Sequence, residues 1–248
     1  MGWVIKKELG KIAGAEAKPV NFDVLAIWLY IFAALTFVWF FTFVDLAPTL
    51  ANKAQIGVLI GAIGLLLSVI LSKAPTTALK MTVSVHPPAP LEFAKKISTL
   101  MLMTLMSVGL QVILIIGAQG YKKMAAIAPA IPAIYLVAFF LGMAVWENGF
   151  FQVMLYRFLK FAFSWFNMPR LPMGKIFALT LCGLVFGFYH YNVYNKDPVF
   201  MAAAFIGSIF FNLSLDGTNW VSGGAIPHLI QNAPFAVISL ALISLGGP

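Results

Sequence analysis

Apolar positions along this chain do not alternate with polar ones; they run on for whole segments. Continuous apolar stretches cover Val24–Val44, Ile56–Leu71, Ile97–Ala118, Met124–Tyr156, Ile176–Tyr191, Val199–Leu215 and Ala225–Leu245. An α-helix rises about 1.5 Å per residue, so a bilayer core about 30 Å thick takes roughly 20 apolar residues. The pattern predicts a helix for each stretch. The fourth is too long for one simple span. It predicts either one strongly tilted or kinked helix, or a break near Gly142 or Gly149 that makes two. A transmembrane β-barrel would need alternating apolar and polar positions. The predicted fold class is therefore all-α: a polytopic transmembrane helical bundle of seven or eight spans.

Composition supports the same class. The 248 residues are 61% hydrophobic and only 10% charged, with a mean hydropathy of +0.94. A soluble domain of this size would have to leave much of that apolar surface in water. The formal charge of +8 would raise the question of nucleic acid in a soluble chain, but here the positive-inside rule accounts for it. With seven spans and the N-terminus inside, inner segments hold Lys6, Lys7, Lys11 and Lys18, then Lys73, Lys80, Lys95 and Lys96, then Arg157, Lys160, Arg170 and Lys175. Outer loops hold only Lys53, Lys122, Lys123 and Lys196. Eight spans from the same start would move the Arg157–Lys175 cluster outside and erase the bias. The expectation is thus a multi-pass integral membrane protein with a cytoplasmic N-terminus, a long fourth span, membrane lipid as its surroundings and no nucleic-acid partner.

The domain reading is a cytoplasmic N-terminal segment over 1–23 and a single transmembrane domain over 24–248. The N-terminal segment is too polar for a cleaved signal peptide; Trp3, Val4 and Ile5 suit the membrane interface. The longest polar connection, Ser72–Lys96, carries His86-Pro87-Pro88-Ala89-Pro90 and predicts a stiff, extended, basic connector with His86 at the surface. Cys182 is the only cysteine, so no intrachain disulfide forms.

Against this apolar background a few polar residues carry the candidate chemistry. Glu147 is one of eight acidic residues and falls inside the fourth apolar stretch. A carboxylate at membrane depth is expensive and marks a functional site by default. His190 and His228 lie within or beside later stretches. Measured from flanking charges, Glu147, His190 and His228 lie about 15, 22 and 18 Å deep, so all three fall near mid-membrane, which permits convergence without fixing which spans are neighbours. Phe186 and His190 share a helical face, as do His228 and Asn232. Gly223, Gly224 and Pro227 are expected to loosen the start of the seventh span. Tyr189, Tyr191, Asn192 and Tyr194 add polar tips beside His190. The residues alone leave alternatives open: a structural carboxylate at a kink, packed core imidazoles, an asparagine bridging two helices, or a proton relay in a transporter. No inverted repeat of the transporter kind is visible.

Glu147-Asn148-Gly149-Phe150-Phe151-Gln152, Phe186-Gly187-Phe188-Tyr189-His190 and His228-Leu229-Ile230-Gln231-Asn232 follow one another in successive late spans. In order and spacing they resemble the motifs of the intramembrane CAAX-prenyl proteases and their bacterial relatives, the CPBP or Abi group that includes the Rce1-type enzymes. Those motifs read Glu-Glu-x-x-x-Arg, Phe-x-x-x-His and His-x-x-x-Asn. The resemblance covers the motif-bearing half, 124–245. It departs at Asn148, where the family has its second Glu, and at Gln152, where it has Arg. It implies an intramembrane endopeptidase acting on a membrane-associated or prenylated peptide. Glu147 would be the general base, His190 would orient the water, and His228 with Asn232 would bind the oxyanion. A non-catalytic membrane subunit that binds partner proteins on the same fold is the alternative, favoured by the two departures. Two histidines and a carboxylate could also hold a divalent metal such as zinc with an open position, although the His-Glu-x-x-His helix of zinc proteases is missing.

Overall fold

The computed structural model describes residues 19–43, 48–73, 79–86, 88–117, 142–166, 172–191 and 196–244. Within them the chain is helical apart from one short strand pair. We label the helices α1 (Val24–Phe43), α2 (Pro48–Leu71), α3 (Pro90–Gly117), α4 (142–162), α5 (Met173–Tyr189), α6 (Pro198–Thr218) and α7 (Val221–Ser244). The expected N-terminal interfacial segment lies outside the described residues. So does the stretch 124–141, on which the choice between seven and eight spans depends.

Two described helical segments, Pro90–Leu114 and Pro198–Thr218, are long and apolar enough to cross a membrane. Large apolar side chains line the outside of the bundle, among them Trp28, Leu35, Val38, Leu105 and Ile113. An apolar exterior is the arrangement that lipid, not water, solvates.

The connector between α2 and α3 departs from expectation. Residues Met81–Ser84 form a strand, β2, which pairs in parallel with β1 (Val20–Asp23), Val20 opposite Met81 and Asp23 opposite Ser84. α3 begins at Pro90, seven residues before the apolar run. Proline fixes the backbone angle that a first helical turn needs and has no N–H to leave unpaired. Glu92 and Lys96 then pair at i,i+4 with 3.1 Å between them. The polar residues there extend the helix below the apolar stretch.

The last connection also differs. The glycines at 223 and 224 do not open the chain: only Asn219 and Trp220 separate α6 from α7, with Asn219 in the left-handed region at φ 54. The glycines lie inside α7 and serve close packing.

Buried polar contacts lock the end of the bundle nearest these turns. Asp23 Oδ1 accepts from the Ala26 N–H at the start of α1, and Oδ2 from the Ser222 N–H at the start of α7, both at 3.1 Å. One carboxylate therefore caps two helices that are distant in sequence. The Asn21 N–H donates to the Asn219 carbonyl at 2.7 Å. Nearby, Asp216 at the end of α6 accepts from Tyr156 Oη at 2.7 Å and pairs with Lys160 at 2.8 Å and Lys175 at 3.0 Å. Arg157 donates to the Lys80 carbonyl at 2.7 Å, and Lys96 lies over the Trp220 ring. Basic residues that the sequence groups on one side thus gather at one end, while Lys196 lies in the α5–α6 connection.

α4 is central, packing against α2, α5, α6 and α7. Its contact with α2 is unusually close. A Cβ at Gly61 would stand 2.5 Å from the Trp146 carbonyl oxygen, and one at Gly64 2.5 Å from Phe150 Cα. Small residues let helix backbones approach in this way.

The double cap sets a prediction. Asp23→Ala removes an N-cap from two helices at once, and each is worth about 0.5–2 kcal/mol. Unfolding of the variant in detergent is expected to show a loss of about 2 kcal/mol, whereas Asp23→Asn, which keeps one acceptor, loses less.

Candidate active site

Glu147 lies on the α-helical part of α4, two residues before the helix widens into a π-helical stretch, Gly149–Tyr156. π-Turns are rare and cluster at functional sites. The widened turn carries Phe151, Gln152, Val153 and Tyr156 inward, all buried. The Glu147 side chain is 7% exposed. Its Oε2 is 3.5 Å from His228 Nε2 and 3.8 Å from His190 Nε2. Three residues picked from separate stretches of sequence therefore converge on one carboxylate.

Each imidazole is held differently. His190 caps the C-terminus of α5, and its Nδ1 lies 2.9 Å from the Phe186 carbonyl oxygen. A carbonyl only accepts, so Nδ1 carries the hydrogen and the neutral ring turns the Nε2 lone pair toward Glu147. His228 comes from the start of the third turn of α7. Its ring stacks on Phe211 at 4.6 Å and 19°, and meets Phe186 edge-on at 5.4 Å. Phe186 also contacts His190 and Phe151, and Tyr189 lies edge-on to His190 at 5.1 Å. The walls of the site are thus aromatic. At 3.5 to 3.8 Å the carboxylate and imidazoles stand just beyond direct hydrogen-bond length. A small molecule touching the carboxylate also touches an imidazole.

Asn232, the fourth candidate, follows His228 by one turn on α7 and is half-buried; the cluster at Glu147 is made by the other three. Of the expected polar tips, Tyr191 is 40% exposed, and Asn192 and Tyr194 lie outside the described residues. Phe211 and Tyr30 escaped the sequence reading. Phe211 is one apolar residue in an apolar helix, and Tyr30 sits in a span without a motif. Neither leaves a periodic signal.

Of the two residues that depart from the family pattern, Asn148 directly follows Glu147 and Gln152 comes five residues after it. Asn148 and Gln152 are both wholly buried and both face Gly224, where a Cβ would stand 2.5 Å from Asn148 Oδ1 and 3.4 Å from Gln152 Cβ. Gly224 precedes His228 by four residues, so the amides pack on α7 about one turn, or 5.4 Å, from the histidine. Asn148 Nδ2 reaches Tyr30 Oη and the Val221 carbonyl, each at 3.4 Å. Neither Gln152 Oε1 nor Nε2 has a hydrogen-bond partner among the described residues.

No group of three or more His, Cys, Asp or Glu side chains among the described residues has an arrangement that would hold a metal ion.

Residues 129–234 match the family model described as type II CAAX prenyl endopeptidase, Rce1-like. The matched segment contains Glu147, His190, His228 and Asn232, and leaves α1, α2 and α3 outside it. No curated protein and no solved structure is matched by the chain.

Gln152 supplies a stability test. A buried amide without partners costs about 1–3 kcal/mol, whereas an apolar side chain of similar shape does not. Gln152→Met is expected to raise the thermal unfolding midpoint of the detergent-solubilised protein. A lower midpoint would show that the amide is satisfied in the folded protein.

Proposed function

We propose that the protein is an intramembrane endopeptidase of the CAAX-protease kind, cutting a membrane-anchored or prenylated peptide. The observation that carries this reading is the buried Glu147 carboxylate with the Nε2 atoms of His190 and His228 at 3.8 and 3.5 Å. Its support from comparison is the Rce1-like match over 129–234, a family of CAAX prenyl endopeptidases.

The chemistry follows from the side chains. Peptide hydrolysis needs a base to deprotonate water, donors for the oxyanion and an acid for the leaving amine. Glu147 takes a proton from the water as that water attacks the scissile carbonyl carbon. His190, with its hydrogen committed to Phe186, offers a lone pair on Nε2 that fixes the water's second hydrogen. His228, in the tautomer with hydrogen on Nε2, donates to the oxygen on which charge develops, and Asn232 adds its amide on the same face of α7. As the C–N bond breaks, Glu147 returns its proton to the departing nitrogen. Neutral donors suit a dry site, since they stabilise charge in the transition state without carrying a permanent charge into the bundle.

This reading also places the chain in the membrane as a multi-pass protein with 1–23 and the basic end of the bundle on the cytoplasmic side. The clustering of Lys80, Arg157, Lys160 and Lys175 around the end of α6 fits that orientation. A second reading rests on Asn148 and Gln152: with a carboxylate and a guanidinium of the family motif replaced by amides, the same bundle would serve as a non-catalytic subunit that holds a partner peptide in a membrane complex.

Purified protein in nanodiscs, offered membrane-anchored and prenylated peptides, distinguishes the two. Cleavage by wild type is expected, with a loss of at least about 10²-fold in Glu147→Ala, the scale on which a general base contributes. His228→Ala is expected to lower kcat, with both variants keeping the wild-type unfolding midpoint within a few degrees. Binding of peptide without cleavage, unchanged in Glu147→Ala, would establish the subunit reading.

A further inference from the structure

A second polar feature lies outside the cluster at Glu147. Where the first turns of α3 face β1 and the α6–α7 turn, the structure has a pocket of about 390 Å³. That volume falls in the range of small-molecule sites, about 300–1,000 Å³. Its wall carries both signs of charge: Lys95 and Lys96 from α3, with Glu92 one turn below them. Across from α3 stands Asn219, whose backbone is fixed on both sides: its N–H donates to the Leu215 carbonyl at 2.8 Å and its carbonyl accepts from Asn21 at 2.7 Å.

We propose that this pocket binds the headgroup of an aminophospholipid, its phosphate on Lys95 and Lys96 and its free ammonium on Glu92. The charge pattern selects the ligand. A simple anion would meet Glu92, and a simple cation would meet two lysines. A headgroup with a phosphate and a primary ammonium joined by a short spacer satisfies both. Lys96 is already positioned, 3.1 Å from Glu92 and 4.7 Å over the Trp220 ring, so little side-chain entropy remains to be lost when the phosphate arrives. The Glu92 side chain is 60% exposed, which leaves carboxylate lone pairs for an incoming N–H. A primary ammonium donates three hydrogens, whereas the quaternary ammonium of a choline headgroup donates none.

The surroundings supply a place for the acyl chains. Next to the pocket Leu91 is 70% exposed, and along the same helix Met101, Leu102 and Leu105 are 56%, 54% and 68% exposed. A charged pocket at the foot of an exposed apolar helix face is the boundary at which a phospholipid puts its headgroup and its tails. Basic pockets at such boundaries hold lipid headgroups in other membrane proteins. The site does not involve Glu147 and stands apart from any cleavage reaction.

The test uses the full chain in detergent, with phosphatidylethanolamine, phosphatidylcholine and phosphatidylglycerol added in equal amounts. Native mass spectrometry reads the retained lipid, and thermal unfolding reads the stabilisation. Phosphatidylethanolamine is expected to be retained about 10-fold better than the other two, a difference worth about 1.4 kcal/mol. Glu92→Gln is expected to erase its advantage over phosphatidylglycerol, and Lys95→Glu to lower retention of both. Lys196→Glu, in the α5–α6 connection, is the control and should change nothing. Equal retention of the three lipids would overturn the proposal, as would variants that behave as wild type or a Lys196→Glu effect as large as that of Lys95→Glu. Soluble phosphoethanolamine is the remaining arm: protection equal to that by the lipid would reassign the pocket to a free phosphorylated amine.

Discussion

The structure turns on a carboxylate placed where water cannot solvate it. Burying an unpaired charged group costs several kcal/mol even after relaxation, and among the described residues the bundle holds two buried carboxylates, Asp23 and Glu147, and a partly buried third, Asp216. Asp23 accepts two backbone N–H groups. Asp216 has a phenol and two ammonium groups. Both have the partners a structural carboxylate needs. Glu147 has two imidazole nitrogens just beyond hydrogen-bond length and, among the described residues, no donor within it. Of the three, Glu147 faces imidazole nitrogens and aromatic edges in place of close donors, which fits the role of base proposed above.

The satisfied acids and the unsatisfied one are mechanically connected. Asp23 fixes the start of α7 through Ser222, six residues before His228. Asp216 ties Lys160 on α4 and Lys175, near the start of α5, to the end of α6. The helices that supply Glu147, His190 and His228 are thus clamped at one end by saturated polar contacts, with those three side chains deeper in the bundle. Close packing completes the support. Gly61 and Gly64 let α2 press directly on the α4 backbone at Trp146 and Phe150, on either side of the catalytic glutamate proposed above. Helices clamped in this way hold the geometry of a site whose carboxylate and imidazoles stand beyond hydrogen-bond length of one another.

What could be read from the sequence was whatever a period or a solvation cost records. Long apolar runs marked the helices to within a few residues at α1 and α5. Glu147, His190 and His228 stood out because polar groups in apolar runs are costly, and rise per residue placed them at similar depths. The strand pair was invisible: Val20–Asp23 and Met81–Ser84 are four-residue segments whose pairing depends on contacts across some sixty residues of sequence. The early start of α3 was hidden because prolines were read as breaking the helix when Pro90 begins it. Gly223 and Gly224 were read as loosening α7, although their missing side chains serve contact with Thr218 and Asn148. Composition does not say whether a glycine bends a backbone or lets another one approach.

The two departures at Asn148 and Gln152 bear on catalysis through charge. A Glu and an Arg at these positions carry −1 and +1, so their joint replacement by amides leaves the net charge beside Glu147 unchanged. Loss of the Glu alone would leave a buried guanidinium to stabilise the Glu147 anion and weaken it as a base; loss of the Arg alone would leave a second carboxylate to repel it. The paired change avoids both outcomes. It also costs less desolvation than a buried ion pair in an apolar bundle. Asn148 keeps a polar link to the α7 backbone through the Val221 carbonyl, and α7 is the helix that presents His228. The substitution therefore preserves the two features general-base chemistry requires of these positions, a neutral surrounding for Glu147 and a fixed approach of α7. On that argument the departures from the family motif are compatible with the hydrolysis proposed above, in which Glu147 and its two imidazoles are the proposed groups.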